Sequence, residues 1–369
     1  MAERVEKIGD YISVIDNRNT DGAISKLMGL SIDKCYIPSV ANVIGTNLNN
    51  YKVIRKGQFA CSLMQVSRDQ KIPIAMYDDD NPAIMSPAYE MFEVSRPDEL
   101  LPEYMEMWFK RAEFDREASF YAIGGVRGSL DWDDFCRMEL PIPSLPEQRK
   151  IVHDYQVITN RITLLLKINE GLEDICDTCF KSISNGASSR GSLHLKDFMV
   201  FGNGRARPAT YGDIPVYGGN GIVAFTDKYN AENISIIGRV GAYCGSVYIE
   251  KKQCWISDNA IVAKSIIDDN EYFDYCLLKK LNLYNYHIGT GQQLLTQGVL
   301  NAIPCPAYSK EEICSFNQHM ESVFKSINRY NAEINRLNRV CSALLSSLSL
   351  QVNDGKAKSR KSFVMTKGV

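Results

Sequence analysis

Two stretches of this chain place an apolar residue alternately three and four positions apart, and that spacing limits its possible architectures more than any other feature. With Tyr155, Ile162, Asn169, Cys176 and Ile183 at heptad position a, position d holds Ile151, Ile158, Leu165, Leu172 and Cys179. Near the C-terminus, Ile313, Met320, Ile327, Ile334, Cys341 and Leu348 stand at a, with Phe316, Val323, Tyr330, Leu337 and Leu344 at d. A seam kept up for about five heptads predicts coiled-coil packing, and a stripe this narrow suits a two-helix seam better than a broad core face. Asn169 at an a position either sets the register at some cost in stability or marks a solvated end of the seam.

The two helices belong to a larger repeat. PIPSLPEQRKIV (Pro141 to Val152) precedes the first and PCPAYSKEEICSF (Pro304 to Phe316) opens the second. Aligning Pro141 with Pro304 and Pro143 with Pro306 gives a period of 163 residues. Upstream of each lie a Gly-containing polar stretch (Gly124 to Asp131; Gly289 to Gln293) and, earlier, an aromatic helix-like segment (Tyr104 to Phe109; Tyr272 to Leu278). The repeating unit is a globular region, a Pro-x-Pro exit and a helix, a self-similarity that must be found before any fold is assigned.

If the first helix leads away from one globular region to the next, and the second region's termini lie close together, the second helix must run back. The expected fold class is α+β: two repeated domains rich in short Val, Ile and Tyr strands, each followed by a long helix, the helices pairing as an antiparallel coiled coil. The expected division is domain one at 1–144, helix one at 145–185, domain two at 186–308, helix two at 309–350 and a polar tail at 351–369. About 38 residues at ~1.5 Å rise each make a spacer of roughly 57 Å.

The order of these pieces carries a family resemblance. LPEQRKIV (Leu145 to Val152) opening a coiled-coil helix, repeated in weaker form near the C-terminus, resembles the conserved regions of the specificity (S) subunits of type I restriction–modification systems. IPVYGGNGI (Ile214 to Ile222), ISIIGRVGAYCGSVYIE (Ile234 to Glu250) and WISDNAIV (Trp255 to Val262) resemble a target-recognition domain of that family, as do YKVIRKGQFA (Tyr51 to Ala60) and MSPAYEMFEV (Met85 to Val94) in the first half. The chain departs from the pattern where the second helix opens on SKEEICSF, and where the first half lacks a Gly-rich GGNG loop. The resemblance implies a noncatalytic subunit that reads a bipartite site on double-stranded DNA, one half per domain. It implies two docked methyltransferase subunits and further motor-nuclease subunits. S-adenosylmethionine, ATP and magnesium are then expected on those partners, and no cofactor on this chain.

Composition fits a cytoplasmic, globular chain: 45% hydrophobic and 23% charged residues, no apolar run of membrane-spanning length, and eleven cysteines without framework spacing, which points to reduced thiols. A net charge of −2 is not that of a nonspecific nucleic-acid coater, so DNA contact must use local basic surface or borrow charge from partner subunits. The rival reading is a stand-alone nuclease or methyltransferase with two recognition domains, but its chemistry has little to work with. Asn81-Pro82-Ala83-Ile84 lacks the second proline and the aromatic residue of an adenine-methyltransferase motif and reads as a turn after Asp78 to Asp80. Gly202-Asn203-Gly204 is a lone G-x-G. Glu250-Lys251-Lys252 after Asp227 has the letter order of a metal nuclease but reads as a polar hairpin turn, and Cys176 and Cys179 fall on the seam with no second pair for zinc.

DNA contact is better supplied. Sequence reading requires Arg or Lys for phosphates and guanine, and Asn or Gln for adenine edges, on loops that enter a groove. In the second half the candidates are Arg205, Arg207, Tyr217, Asn220, Arg239, Tyr243, Gln292 and Gln293, all beside glycines or on turns. In the first half they are Lys56, Gln65, Arg68, Arg127 and Ser129; Arg127 to Leu130 occupies the place of Gly291 to Leu294. Five Lys or Arg between Asp354 and Lys367 make the tail a solvated segment or an auxiliary phosphate contact.

Overall fold

The structure, a computed structural model, describes residues 4–39, 45–64, 66–124, 128–187, 190–267, 270–289 and 291–365, with side chains up to 348. It divides into two compact units, Met1–Thr163 with Asn335–Val369, and Leu164–Ile334. The class is the expected one: mixed α+β bodies and two long helices, Leu145–Ala187 and Lys310–Met365. The second helix runs past Leu348, where the heptads end.

Each unit is built on a four-stranded antiparallel sheet with the same connectivity. In the first, the order is Ile12–Val14, Glu90–Val94, Phe59–Cys61, Ile74–Met76; in the second it is Met199–Asn203, Ala260–Ser265, Ile234–Gly238, Val247–Glu250. A short two-stranded ladder closes each body, Arg4–Lys7 with Glu139–Ile142 and Ser192–His194 with Pro304–Pro306. Matching backbone hydrogen bonds fix the equivalence. Ile8 N–H donates to Met138 O (2.8 Å) as Leu195 N–H does to Ile303 O (3.0 Å), and Leu130 N–H donates to Leu63 O (2.9 Å) as Leu295 N–H does to Arg239 O (2.9 Å).

These bonds correct the repeat register. Met138 matches Ile303 and Leu130 matches Leu295, an offset of 165, and the strand ladders accordingly align Pro141 with Pro306. The Pro-x-Pro pattern superposes on itself after a two-residue slip, which is why the sequence alignment settled on 163.

Aromatic side chains fill both cores. Phe59, Phe92, Phe109, Phe114 and Phe135 cluster in the first unit, with Phe59 and Phe92 stacked at 5.2 Å. In the second, Phe273 stands edge-on to Tyr308 at 4.8 Å, and Phe180 and Phe316 from the long helices join them. The aromatic segments are helices, Pro102–Phe109 and Glu271–Lys280.

The seam residues are buried or half-buried along both helices. In the second unit Cys176, Cys179, Phe180 and Ile183 pack with Ile313, Phe316, Met320 and Val323, and Asn169 Nδ2 donates to Asn331 Oδ1 (2.8 Å). Arg190 pairs with Glu312 (2.5 Å), so the numbering falls on one helix as it rises on the other: the pair is antiparallel. In the first unit Ile151, Val152 and Tyr155 share a cluster with Leu345 and Leu348. Burial pushes the Cys176 thiol up to about 11, which suits a packed core sulfur.

The LPEQ motif acquires a structural meaning. Gln148, fully buried, accepts from Leu101 N–H (2.8 Å) and donates to the carbonyls of Glu99 (2.7 Å) and Pro143 (2.8 Å). Asn317 does the same work one turn further along the second helix. Its Oδ1 accepts from Phe273 N–H (3.1 Å), and its Nδ2 donates to Asn270 Oδ1 (3.2 Å) and Ile313 O (2.9 Å). Ser309 and Glu312 form a capping box, with Ser309 N–H donating to Glu312 Oε2 (3.0 Å) and Glu312 N–H to Ser309 Oγ (3.2 Å).

Asp274 yields a stability prediction. Burial, with the Glu271 charge adding to it, pushes its carboxyl up to about 7 from 3.8. The folded state thus holds a proton that the unfolded chain gives up near pH 4, so stability falls as pH rises from about 4 to about 7 and then levels off. Asp274→Asn should flatten that dependence and raise the urea midpoint at pH 8 above that of wild type; an unchanged pH profile would show that this carboxyl does not carry it.

Candidate nucleic-acid interface

In the second unit, five turns lie side by side, held by backbone hydrogen bonds. Arg239 N–H donates to Asn259 O (2.9 Å), Gly241 N–H to Gln293 O (3.0 Å), Gly204 N–H to Ala260 O (3.1 Å) and Arg205 N–H to Ile256 O (2.9 Å). Ser246 Oγ donates to Gly219 O (2.5 Å), which draws the Gly219-Asn220 hairpin turn onto the 239–246 turn. The approach is close enough to demand glycine. A Cβ on Gly238 would sit 2.1 Å from Tyr243 O and 3.0 Å from Gly219 O, and one on Gly204 would sit 1.9 Å from Ser257 O.

This frame gathers most of the residues singled out in the second half. Arg205, Arg207, Asn220, Tyr243 and Gln292 are exposed, and Arg239 and Gln293 are half-buried at the centre. Arg239 reaches back toward Asp258 O (3.5 Å), while its Nε is shielded from solvent and, among the described residues, has no partner. Neither Arg205 nor Arg207 has an ion pair among the described residues, so both guanidinium groups are available to an anion. Tyr217 departs from expectation. It is 7% exposed in the core, its hydroxyl donating to Glu250 Oε2 (3.0 Å), because strand Ile214–Gly218 turns that side chain inward. Glu250 also accepts from Lys252 N–H (2.9 Å), and Lys251 pairs with Glu271 (2.9 Å), as a polar turn would arrange them.

The first unit offers a smaller version. Arg68 lies on the short helix Val66–Asp69, just past Leu63, the counterpart of Arg239. Gly128 packs on that helix so closely that a Cβ would meet Ser67 Oγ at 2.1 Å, which puts Ser129 beside it. Arg68 is held by Asp69 in a two-bonded pair (2.7 and 3.0 Å). Lys56 belongs to a different turn and pairs with Asp80 (2.6 Å), which raises the ammonium pKa above its ordinary value. Gln65 and Arg127 lie outside the described residues. Asn81 closes the turn expected after the acidic run, its N–H donating to Asp79 Oδ1 (2.8 Å).

Sequence reasoning missed Asn259 and Asp258, which sit beneath Arg239 at the centre of the frame. Their signal was the turn-forming Ser-Asp-Asn run inside WISDNAIV, which the resemblance had marked without assigning them a role.

Residues 193–338 match the family model described as type I restriction modification DNA specificity domain. Over that stretch, about two fifths of its length, the chain is similar to such a domain. The turns just described lie within the matched stretch, which runs on into the second long helix. Over 94% of the chain the fold is similar to the crystal structure of the type I restriction–modification S subunit from M. genitalium, covering 96% of that chain at 14% identity with a TM-score of 0.62. Two further structures align over 94% of the chain. One, described as the structural basis of complex assembly and conformational transition of the type I R-M system, has 17% identity, 97% coverage and a TM-score of 0.44. The other, the HsdS subunit from Thermoanaerobacter tengcongensis, has 16% identity, 96% coverage and a TM-score of 0.37. No curated protein matches the chain. Among the described residues no helix is long and apolar enough to cross a membrane.

If Arg205 and Arg207 hold phosphates, replacing both by alanine should weaken DNA binding about equally for all sequences and lower the slope of log K against log salt by about two. Lys56→Ala, which removes an ammonium already committed to Asp80, should change the slope by less than one; equal slopes for all variants would remove these cations from the interface.

Proposed function

We propose that this chain is the noncatalytic DNA-recognition subunit of a type I restriction–modification complex, each unit reading one half of a bipartite asymmetric site. The observation that carries the reading is the duplicated body: the same sheet order and the same pair of backbone bonds place Leu63, followed by the short helix bearing Arg68, in one unit where the other has Arg239. Two copies of one frame with different side chains can read two different sequences.

The long helices dock two methyltransferase subunits, and motor-nuclease subunits join that assembly. An apolar stripe outside the seam supports this: in the second unit Leu164, Ile168 and Ile175 are exposed on one face of the first long helix, at i, i+4 and i+11. S-adenosylmethionine, ATP and magnesium act on those partners, and no cofactor is assigned to this chain.

The division of labour is tested by exchange. Replacing residues 190–303 with the matching region of another such protein, then mapping adenine methylation by the assembled complex, should change one half of the target and leave the other. A change in both halves would defeat the assignment of one half-site to each unit. Robust methylation or cleavage by the purified, partner-free chain would defeat the noncatalytic reading.

A further inference from the structure

The corrected register exposes an identity between the units that the earlier alignment hides. At an offset of 165, Tyr121-Ala122-Ile123-Gly124 falls on Tyr286-His287-Ile288-Gly289. Both isoleucines are exposed, Ile123 at 74% and Ile288 at 47%. A single isoleucine on a protein surface calls for no explanation. The same β-branched side chain left in solvent at the matching sequence position of both units does, even though Ile123 lies in a short 3-10 helix, Ala122–Gly124, and Ile288 in an extended bridge.

In the second unit its placement is rigid. Ile288 N–H donates to Leu294 O (2.8 Å) and Leu294 N–H to Ile288 O (3.0 Å), so Ile288 stands at the root of a finger whose far arm carries Gln292 and Gln293. Leu294 also bridges to Val240, one residue past Arg239, which ties the finger to the reading frame. Gly289, at φ +93°, makes the sharp departure from Ile288, and a Cβ there would meet Gln292 O at 2.6 Å. An exposed apolar side chain is therefore held by backbone bonds on one arm, with the two glutamines on the arm opposite.

The edge of a base pair in the major groove offers one apolar group, the C5-methyl of thymine, and the adenine opposite it offers the N6 and N7 pattern that a Gln amide satisfies. We propose that Ile288 and Ile123 each contact a thymine methyl, one in each half-site, with Gln292 or Gln293 reading the paired adenine in the second. This rests on the DNA-reading function above.

The test uses the chain assembled with its methyltransferase partners, and a duplex carrying the target found by methylation mapping. All thymines of one half-site are replaced by deoxyuridine, which deletes the methyl and keeps the pairing. Binding by the wild-type complex should weaken by about fourfold for each half-site treated, the value of one buried methyl group. In Ile288→Ala the sensitivity should vanish for one half-site and persist for the other, and in Ile123→Ala the halves should exchange roles. The wild-type arm needs no substitution, so a poorly folded variant cannot hide the answer. Target-selective binding that ignores deoxyuridine in both half-sites would overturn this inference alone, and so would unstacking reported by 2-aminopurine without methyl dependence, which would make the isoleucines wedges. Absence of any target selectivity would instead defeat the reading beneath it.

Discussion

Each half of the chain depends on a buried amide. Gln148 and Asn317 take the first turns of a long helix and bond them to the start of the aromatic helix in the same unit, Pro102–Phe109 or Glu271–Lys280. Burying an amide without partners costs a few kcal/mol, so these side chains are committed once the core forms around them. The direction in which each long helix leaves its own body is thereby fixed with that body's fold, and the heptad seam begins from a set orientation.

The shared frame leaves room for the halves to differ. Where the second unit inserts the hairpin Ile214–Gly218 with Gly221–Thr226, the first uses the hairpin Met28–Leu30 with Tyr36–Pro38. In the first unit Lys56 and Arg68 rest in exposed ion pairs with Asp80 and Asp69, which compete with a phosphate. Arg205 and Arg207 meet no such competitor among the described residues. Asn169, pairing with Asn331 across the seam, gives a polar rung that fits only one alignment of the helices in the second unit.

The seam, the duplication and the α+β class were legible because each is periodic: heptads and repeats leave a signal in residue spacing alone. The register of the repeat was not, since Pro-x-Pro matches itself two residues away and only the strand ladders choose. Tyr217 was misplaced for a related reason. Its neighbours Gly218 and Gly219 mark a turn, but the inward face of the strand before that turn is decided by what it packs on. Gln148 was visible only as part of a motif; that its amide is buried among three backbone partners is a fact of tertiary contact. The turns of the candidate interface come together mostly through backbone bonds, whose only trace in the sequence is the glycine their close approach requires at 204 and 238.

That last feature bears on how such a protein can change. Because the turns are joined main chain to main chain, at Arg239, Gly241 and Leu295, the outward side chains contribute little to the fold they decorate. Substitutions at Asn220, Tyr243 or Gln292 are therefore nearly neutral for stability, while glycines 204 and 238 are held by the room they leave. If these side chains read bases as proposed, a lineage can drift to a new target one base at a time without passing through an unfolded intermediate. Packing constrains the body, while the outward side chains of the turns are constrained far less.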